Sequence, residues 1–237
     1  VVKHRYYKLF YFTRWIGLRH TYTFTNYCSI IEILYEEHKK HSGKWLANLS
    51  GDYYNLKKKQ VRHVCSHEPE DIDNFIDKSF LDYIDSYKTN LTDLYANIVY
   101  RINKETGIVL TGRIKNDDSI LLKLHRKRFE DGGKFPLNKY LNDLLGFRII
   151  DEGLNLKVNQ IKDYLNSLKE QKWRIMHKYR KNGEYKGYHI YFMGPNSRSF
   201  PIELQLWDVE NERDNLTSHE QYKKSYTYWP KIYREGE

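Results

Sequence analysis

Residues 173–207 read WRIMHKYRKNGEYKGYHIYFMGPNSRSFPIELQLW, and this stretch decides the fold. It holds three runs rich in Tyr, Ile, Phe, Leu and Trp: Trp173–Arg180, Tyr185–Met193 and Phe200–Trp207. Lys181-Asn182-Gly183 and Gly194-Pro195-Asn196 stand between them, and both are turn-forming triplets. The spacing predicts three successive strands. Alternation in the third puts Ile202, Leu204 and Leu206 on a core face and Glu203 with Gln205 on the other.

Upstream, Leu144–Asp151 reads as a fourth, apolar strand and Ile108–Lys115 as a fifth, rich in Val, Leu and Ile. Helices are expected over Val158–Lys169, over Thr92–Glu105, and from Ser119 to about Glu130, where Gly132-Gly133 stop the run. Ser66–Tyr87 also follows helical spacing through Ile72, Phe75, Ile76, Phe80, Tyr83 and Ile84. Residues 209–226 read as a polar helix. Helices come first, then a mixed β-sheet flanked by helices, so the fold class is α+β. The loosest boundary lies near residues 50–68. It divides a basic, Tyr-rich N-terminal extension, residues 1–65, from a domain of residues 66–237.

Aromatics make up 16% of the 237 residues, too rich a fraction for a disordered chain. No stretch approaches the roughly 18 uncharged apolar residues of a membrane span. Residues 1–12 lack the apolar core of a signal peptide. Cys28 and Cys65 are the only cysteines, which excludes a disulfide framework and a four-thiolate zinc site. A reducing cytoplasm is the expected setting. The formal charge is +9, unevenly spread. Residues 1–20 carry Lys3, Arg5, Lys8, Arg14 and Arg19 and no acid, and Lys57, Lys58, Lys59 and Arg62 form a second basic cluster. Basic runs interleaved with aromatics can hold a phosphate backbone and stack on bases, though a solvated basic face has the same composition.

Five groups of residues could carry chemistry. Arg113 and Lys115 alternate on a predicted strand, while Ser119 opens the next helix and Lys123 lies one turn on. Three cations and a helix N-terminus converging there suit a polyphosphate. There is no Gly-x4-Gly-Lys-Ser/Thr loop, so the site is not of the Walker type. Asp143 stands at the mouth of a buried strand, where a carboxylate can bind Mg²⁺, and Arg148 within that strand can pair with phosphate. The same two residues serve equally as a turn cap and a structural ion pair. Glu203 can complete a metal site or accept a proton from an attacking hydroxyl, with Gln205 beside it. Tyr185 and His189 flank Gly187, where a ring can stack a base and a His can fix phosphate or sugar. His219 and Tyr222 share a helix face.

Taken in order, Arg-x-Lys-x3-Ser-x3-Lys, Asp-x-x-Gly-x-Arg, Tyr-x3-His, Glu-x-Gln and His-x-x-Tyr-Lys resemble the synthetase domain of the RelA/SpoT family, over about residues 90–226. The resemblance implies a nucleotidyltransferase-like pyrophosphokinase fold. It also implies transfer of the β,γ-pyrophosphate of ATP to a ribose 3′-hydroxyl, with Mg²⁺ as cofactor. On that resemblance Asp143 and Glu203 are the catalytic and metal-holding carboxylates. Arg113, Lys115, Ser119, Lys123 and Arg148 hold ATP, and Tyr185, His189, Gln205, His219 and Tyr222 take the acceptor. Housekeeping members of the family continue Glu-x-Gln with Ile-Arg-Thr, where this chain has Leu206-Trp207-Asp208. That departure looks like the toxic small alarmone synthetases, toxins of toxin–antitoxin pairs. The branch implies a tRNA CCA end as acceptor and a neutralising antitoxin protein, and the basic cluster of Lys57, Lys58, Lys59 and Arg62 is the expected docking surface for tRNA. A (p)ppGpp or (pp)pApp synthetase is the alternative.

Overall fold

A computed structural model describes residues 21–50, 53–67 and 75–221. The basic segment of residues 1–20, Ile72 of the helix expected to start at Ser66, and Tyr222 all fall outside the described residues.

The first element is a helix that the strand-centred reading did not anticipate, α1 (Phe24–Asn48). Thr23 and Asn26 close a reciprocal capping box at its start: Thr23 Oγ1 accepts from the Asn26 N–H at 3.2 Å, and Asn26 Oδ1 accepts from the Thr23 N–H at 2.9 Å. Its buried face is Tyr27, Ile30, Ile31, Leu34, His38 and Trp45, a three-and-four spacing. Burying each Ile or Leu completely contributes about 1.5–3 kcal/mol. These side chains share one hydrophobic core with the rest of the described chain, although they lie within residues 1–65.

Next come α2 (Lys78–Lys88), α3 (Leu91–Thr106), β1 (Thr111–Ile114) and α4 (Asp117–Phe129). The helix expected from Ser66 begins twelve residues later, at Lys78, where Asp77 accepts from the Phe80 N–H at 3.0 Å. Phe75 and Ile76 are instead held in an antiparallel bridge, with the Ser66 N–H on Phe75 O and the Asp77 N–H on Val64 O. Helical spacing and burial at a bridge satisfy the same apolar positions, and here the backbone pairing won. The strand expected over 108–115 shortens to four residues, although Ile108 and Leu110 are buried. Asn116, not Ser119, caps α4: its Oδ1 accepts from the Ser119 N–H at 3.1 Å.

Then follow α5 (Leu137–Tyr140), β2 (Leu145–Asp151), α6 (Leu154–Glu170), β3 (Ile175–Asn182), β4 (Tyr185–Phe192), β5 (Ile202–Asp208) and α7 (residues 212–221). The five strands form one mixed sheet in the order β1-β2-β5-β4-β3. Only the β2–β5 pair is parallel. Phe147, Ile149, Ile190, Leu204 and Leu206 are buried in the core. α3 meets β1 and stacks Tyr95 on Phe147, α6 meets β3 and β5, and α1 packs against α3, α6 and β4. The fold is therefore α+β, a mixed sheet with flanking helices. Among the described residues no helix is long and apolar enough to cross a membrane.

The register writes the opposite face of the sheet as two rows. One row aligns Arg113, Gly146, Glu203, Tyr191 and Met176, and the other aligns Thr111, Arg148, Gln205, His189 and Lys178. An apolar face against helices leaves these polar side chains pointing one way.

Candidate active site

That polar face floors a cleft of about 1190 Å³. Arg113 enters it from β1, Lys115 from just beyond that strand, Ser119 and Lys123 from α4, Asp143 from the loop before β2, and Glu203, Gln205, Tyr185, His189 and His219 from the other side. Ten of the residues picked out in sequence thus line one space. Arg148 does not. Its guanidinium lies over the Trp207 indole, 3.5 Å from the ring centroid, with Nη2 reaching Gln205 Oε1 and His219 Nε2. Burial pulls its pKa down, and the group stays charged at neutral pH.

Asp143 is held by two cations. Lys115 Nζ reaches its Oδ2 at 2.6 Å and Lys123 Nζ its Oδ1 at 2.9 Å. Burial pushes the carboxyl pKa up, but Lys123 and Lys115 outweigh it and hold the group well below the usual carboxylate range. Burial lowers Lys115 in turn, against the pull of Asp143. Lys123 also sits over the Tyr140 ring at 4.9 Å. The helix N-terminus adds less than expected. Asn116 already occupies the Ser119 N–H, and Asp117 and Asp118 stand in the first turn, so the positive charge at this end of the cleft comes from the side-chain cations rather than from the helix.

Across the cleft, both oxygens of Glu203 accept hydrogen bonds: Oε1 meets His189 Nδ1 at 2.8 Å, and Oε2 takes the Gln205 amide N–H at 2.7 Å. Glu203 is 5% exposed. Burial alone would raise its pKa, yet the hydrogen bonds from His189 and Gln205 keep it below its ordinary value. Burial lowers His189, more than Glu203 raises it. At neutral pH the pair is therefore a carboxylate facing a neutral imidazole. His189 Nε2 meets the Tyr185 hydroxyl at 2.6 Å, and burial pushes that phenol up to about 12.

No cluster of three or more His, Cys, Asp or Glu side chains able to hold a metal occurs among the described residues. Two carboxylates, Asp143 and Glu203, do line the same cleft, and the charge on Asp143 acts to raise the Glu203 pKa. Gly146 leaves room beside them, since a Cβ there would still lie 3.9 Å from Glu203 Oε2. Hard oxygen donors of this kind fit Mg²⁺ when substrate phosphates supply the rest of its shell.

The basic cluster lies on the rim. The Leu137 N–H bonds to Lys59 O, the Asn138 N–H to Leu56 O and the Val61 N–H to Phe135 O. The loop bearing exposed Lys57, Lys58 and Lys59 is thereby strapped along residues 135–138, next to cleft-lining Lys139 and Tyr140. Arg62 lies apart, packed against Gly133. Sequence reading missed Lys178 and Arg180, which line the cleft from β3 and flank the Tyr191 ring at 6.0 and 5.8 Å. Their alternation on a strand was the available signal. Trp207, which touches Arg148 and Tyr185 at once, left no signal beyond its place two residues after Gln205.

Residues 112–227 match the family model described as the region found in RelA / SpoT proteins. No curated protein matches the chain. Among solved structures, small alarmone synthetase 1 from Bacillus subtilis is similar at 19% identity, covering 63% of this chain and 82% of that one with a TM-score of 0.38. The same protein bound to its product pppGpp matches at 18% identity, covering 67% and 88%, with a TM-score of 0.36. Bound to AMPCPP it matches at 17%, covering 63% and 80%, with a TM-score of 0.33.

Proposed function

We propose that this chain, whose residues 112–227 match the region found in RelA / SpoT proteins, moves the pyrophosphate of ATP onto the 3′-hydroxyl at the CCA end of tRNA. The match to that region supports ATP pyrophosphate transfer, and the choice of acceptor rests on the cleft and its basic rim. One observation carries the chemistry: Asp143, clasped by Lys115 and Lys123, faces Glu203, clasped by His189 and Gln205, across one cleft.

Such a transfer needs positioning and charge neutralisation rather than a covalent nucleophile. Lys115, Lys123 and Arg113 hold the ATP phosphates, the two lysines turning from Asp143 toward them. Asp143 and Glu203 are the residues that would hold Mg²⁺, which supplies charge neutralisation to the phosphates when bound. Glu203, ionised at neutral pH, accepts the proton of the acceptor hydroxyl. The hydroxyl oxygen bonds to the β-phosphorus, the bond between that phosphorus and the α–β bridging oxygen breaks, and AMP leaves with the bridging oxygen. Tyr185, half-buried at the cleft wall, offers its ring to the acceptor base.

The rim supports a polyanionic acceptor. Lys57–Lys59, Lys139, Lys178 and Lys181 are exposed at or beside the cleft mouth, where a single-stranded end would trail its phosphates. On this reading the product blocks aminoacylation, the chain is a translation-blocking toxin, and a neutralising antitoxin protein is its natural partner. A free purine nucleotide giving (p)ppGpp or (pp)pApp is the second reading, favoured by a cleft of about 1190 Å³, a volume that can take an acceptor nucleotide beside ATP.

γ-Labelled ATP offered with bulk tRNA, GDP, GTP and AMP side by side separates the two. Label on tRNA alone supports the first reading, and label on a mononucleotide with none on tRNA rejects it. Glu203→Gln tests the chemistry common to both. Turnover is expected to fall at least about a hundred-fold, the scale of a lost general base, and a variant near wild-type turnover removes Glu203 from the mechanism.

A further inference from the structure

The two hydrogen-bond chains that fix Glu203 begin at one side chain outside the cleft lining. Trp207 is fully buried on β5, four residues beyond Glu203 and on the same face. Its indole Nε1–H donates to the Tyr185 hydroxyl at 3.1 Å. An indole nitrogen only donates, so the phenol oxygen must accept there. The Tyr185 proton is then directed to His189 Nε2 at 2.6 Å, which leaves the imidazole proton on Nδ1, facing Glu203 Oε1 at 2.8 Å. The other tautomer would set a bare nitrogen lone pair against a carboxylate oxygen. The second chain starts on the indole face. Arg148 lies on it and donates Nη2–H to Gln205 Oε1 at 3.1 Å, and the Gln205 amide N–H donates to Glu203 Oε2 at 2.7 Å.

Gly187 makes the meeting possible. A Cβ at that position would stand 2.9 Å from the Tyr185 hydroxyl oxygen and 3.0 and 3.1 Å from Cδ1 and Nε1 of Trp207. No side chain fits between the two partners.

We propose that Trp207 is a positioning residue for the transfer: it orients Tyr185 and Arg148, and through them the Glu203 carboxylate, toward the acceptor. It touches neither ATP nor the acceptor. The inference rests on the reading of Tyr185 and Glu203 as acceptor-side groups.

The test is a double-mutant cycle of Trp207→Phe and Tyr185→Phe, which remove the same hydrogen bond from either partner. Each variant is expected to lower kcat/KM for the acceptor about ten-fold, leaving the Kd for ATP, read by calorimetry, within two-fold of wild type. The double variant is expected to be no worse than the poorer single one. In spectra of the ¹⁵N-labelled protein, the Trp207 indole N–H resonance is expected to move upfield in Tyr185→Phe. Effects that multiply in the double variant, or an unmoved resonance, overturn the proposal. If Trp207→Phe does not fold, Tyr185→Phe decides alone, and wild-type transfer by it overturns the coupling. A separate variant, Tyr185→Ala, tests the underlying reading. An unchanged acceptor KM there removes Tyr185 from acceptor binding, whatever the cycle shows.

Discussion

Lys115 Nζ lies 2.6 Å from Asp143 Oδ2, a contact that ties the residue just beyond β1 to the loop before β2 across 28 residues of chain. Lys123 takes the other oxygen, so the carboxylate is saturated by cations before any phosphate arrives. Asp143→Asn is therefore expected to do two things. Transfer falls by at least about a hundred-fold, as for a lost metal-holding charge. Stability also falls, by about 1–3 kcal/mol, because two largely buried ammonium groups lose their partner. That is less than the cost at a fully buried pair, since the side chains keep 11–18% exposure. Urea titration beside the activity assay checks both, and an Asn variant as stable as wild type contradicts the clasp.

Arg113→Ala and Lys123→Ala are expected to weaken ATP without changing which acceptor is used. Losing one charged phosphate contact costs roughly 1.5–3 kcal/mol, or about ten- to a hundred-fold in Kd. Lys123 carries the larger loss, because it also holds Asp143 in place and stacks on Tyr140. Isothermal calorimetry with a non-hydrolysable ATP analogue reads this directly. An unchanged Kd in both variants makes the cluster surface charge only.

Reversing Lys57, Lys58 and Lys59 to Glu together is expected to lower tRNA modification through binding. The deficit is expected to shrink between about 50 and 200 mM salt, as counterion release and screening weaken the electrostatic term. The three lysines are exposed on a strapped loop, so the fold is expected to tolerate the change. A mononucleotide acceptor is expected to be indifferent to the variant. Equal tRNA modification by wild type and variant at low salt rejects this rim as the docking surface.

His38 on α1 is 1% exposed, and its Nε2 lies 2.9 Å from Phe200 O. Burial pulls its pKa down to about 3, far below the 6.5 of an exposed imidazole. The unfolded chain therefore takes up a proton that the native chain refuses. Its stabilising effect is complete above about pH 6.5 and is lost as pH falls toward 3, by about 1.4 kcal/mol per pH unit. Melting temperatures are expected to drop steadily from pH 6.5 to pH 4.5, and His38→Gln is expected to flatten that slope. A slope unaltered in the variant assigns the acid sensitivity to other groups.

Where the chain's local and long-range demands agree, its elements were legible in the residues. The three strands within 173–207 are bounded by Asn-Gly and Gly-Pro turns, and their alternation already separates Leu204 from Glu203 and Gln205, as the sheet does. α3 and α6 show the same agreement between apolar spacing and burial. Alternation likewise fixed which side of each strand its polar residues occupy, because a strand has only two sides. So ten residues spread from Arg113 to His219 could be named as one site before any contact between them was known. Tertiary structure decided what those residues do to one another. Strand order sets Gly146 beside Glu203 and Arg148 beside Gln205, and nothing in either strand's own pattern chooses β5 as the neighbour of β2. The same pairing set Arg148 beside Gln205 on the cleft side of the sheet, where its guanidinium lies over Trp207, and the packing of α4 brought Lys123 onto Asp143. Phe75 and Ile76 went to a bridge rather than a helix, because a buried backbone must find partners and the Ser66 N–H and Val64 carbonyl offered them to Phe75 and Asp77. Side-chain type and spacing are local, and the sequence carries them. Partner choice depends on which surfaces collapse together, and that is settled only when the whole core forms.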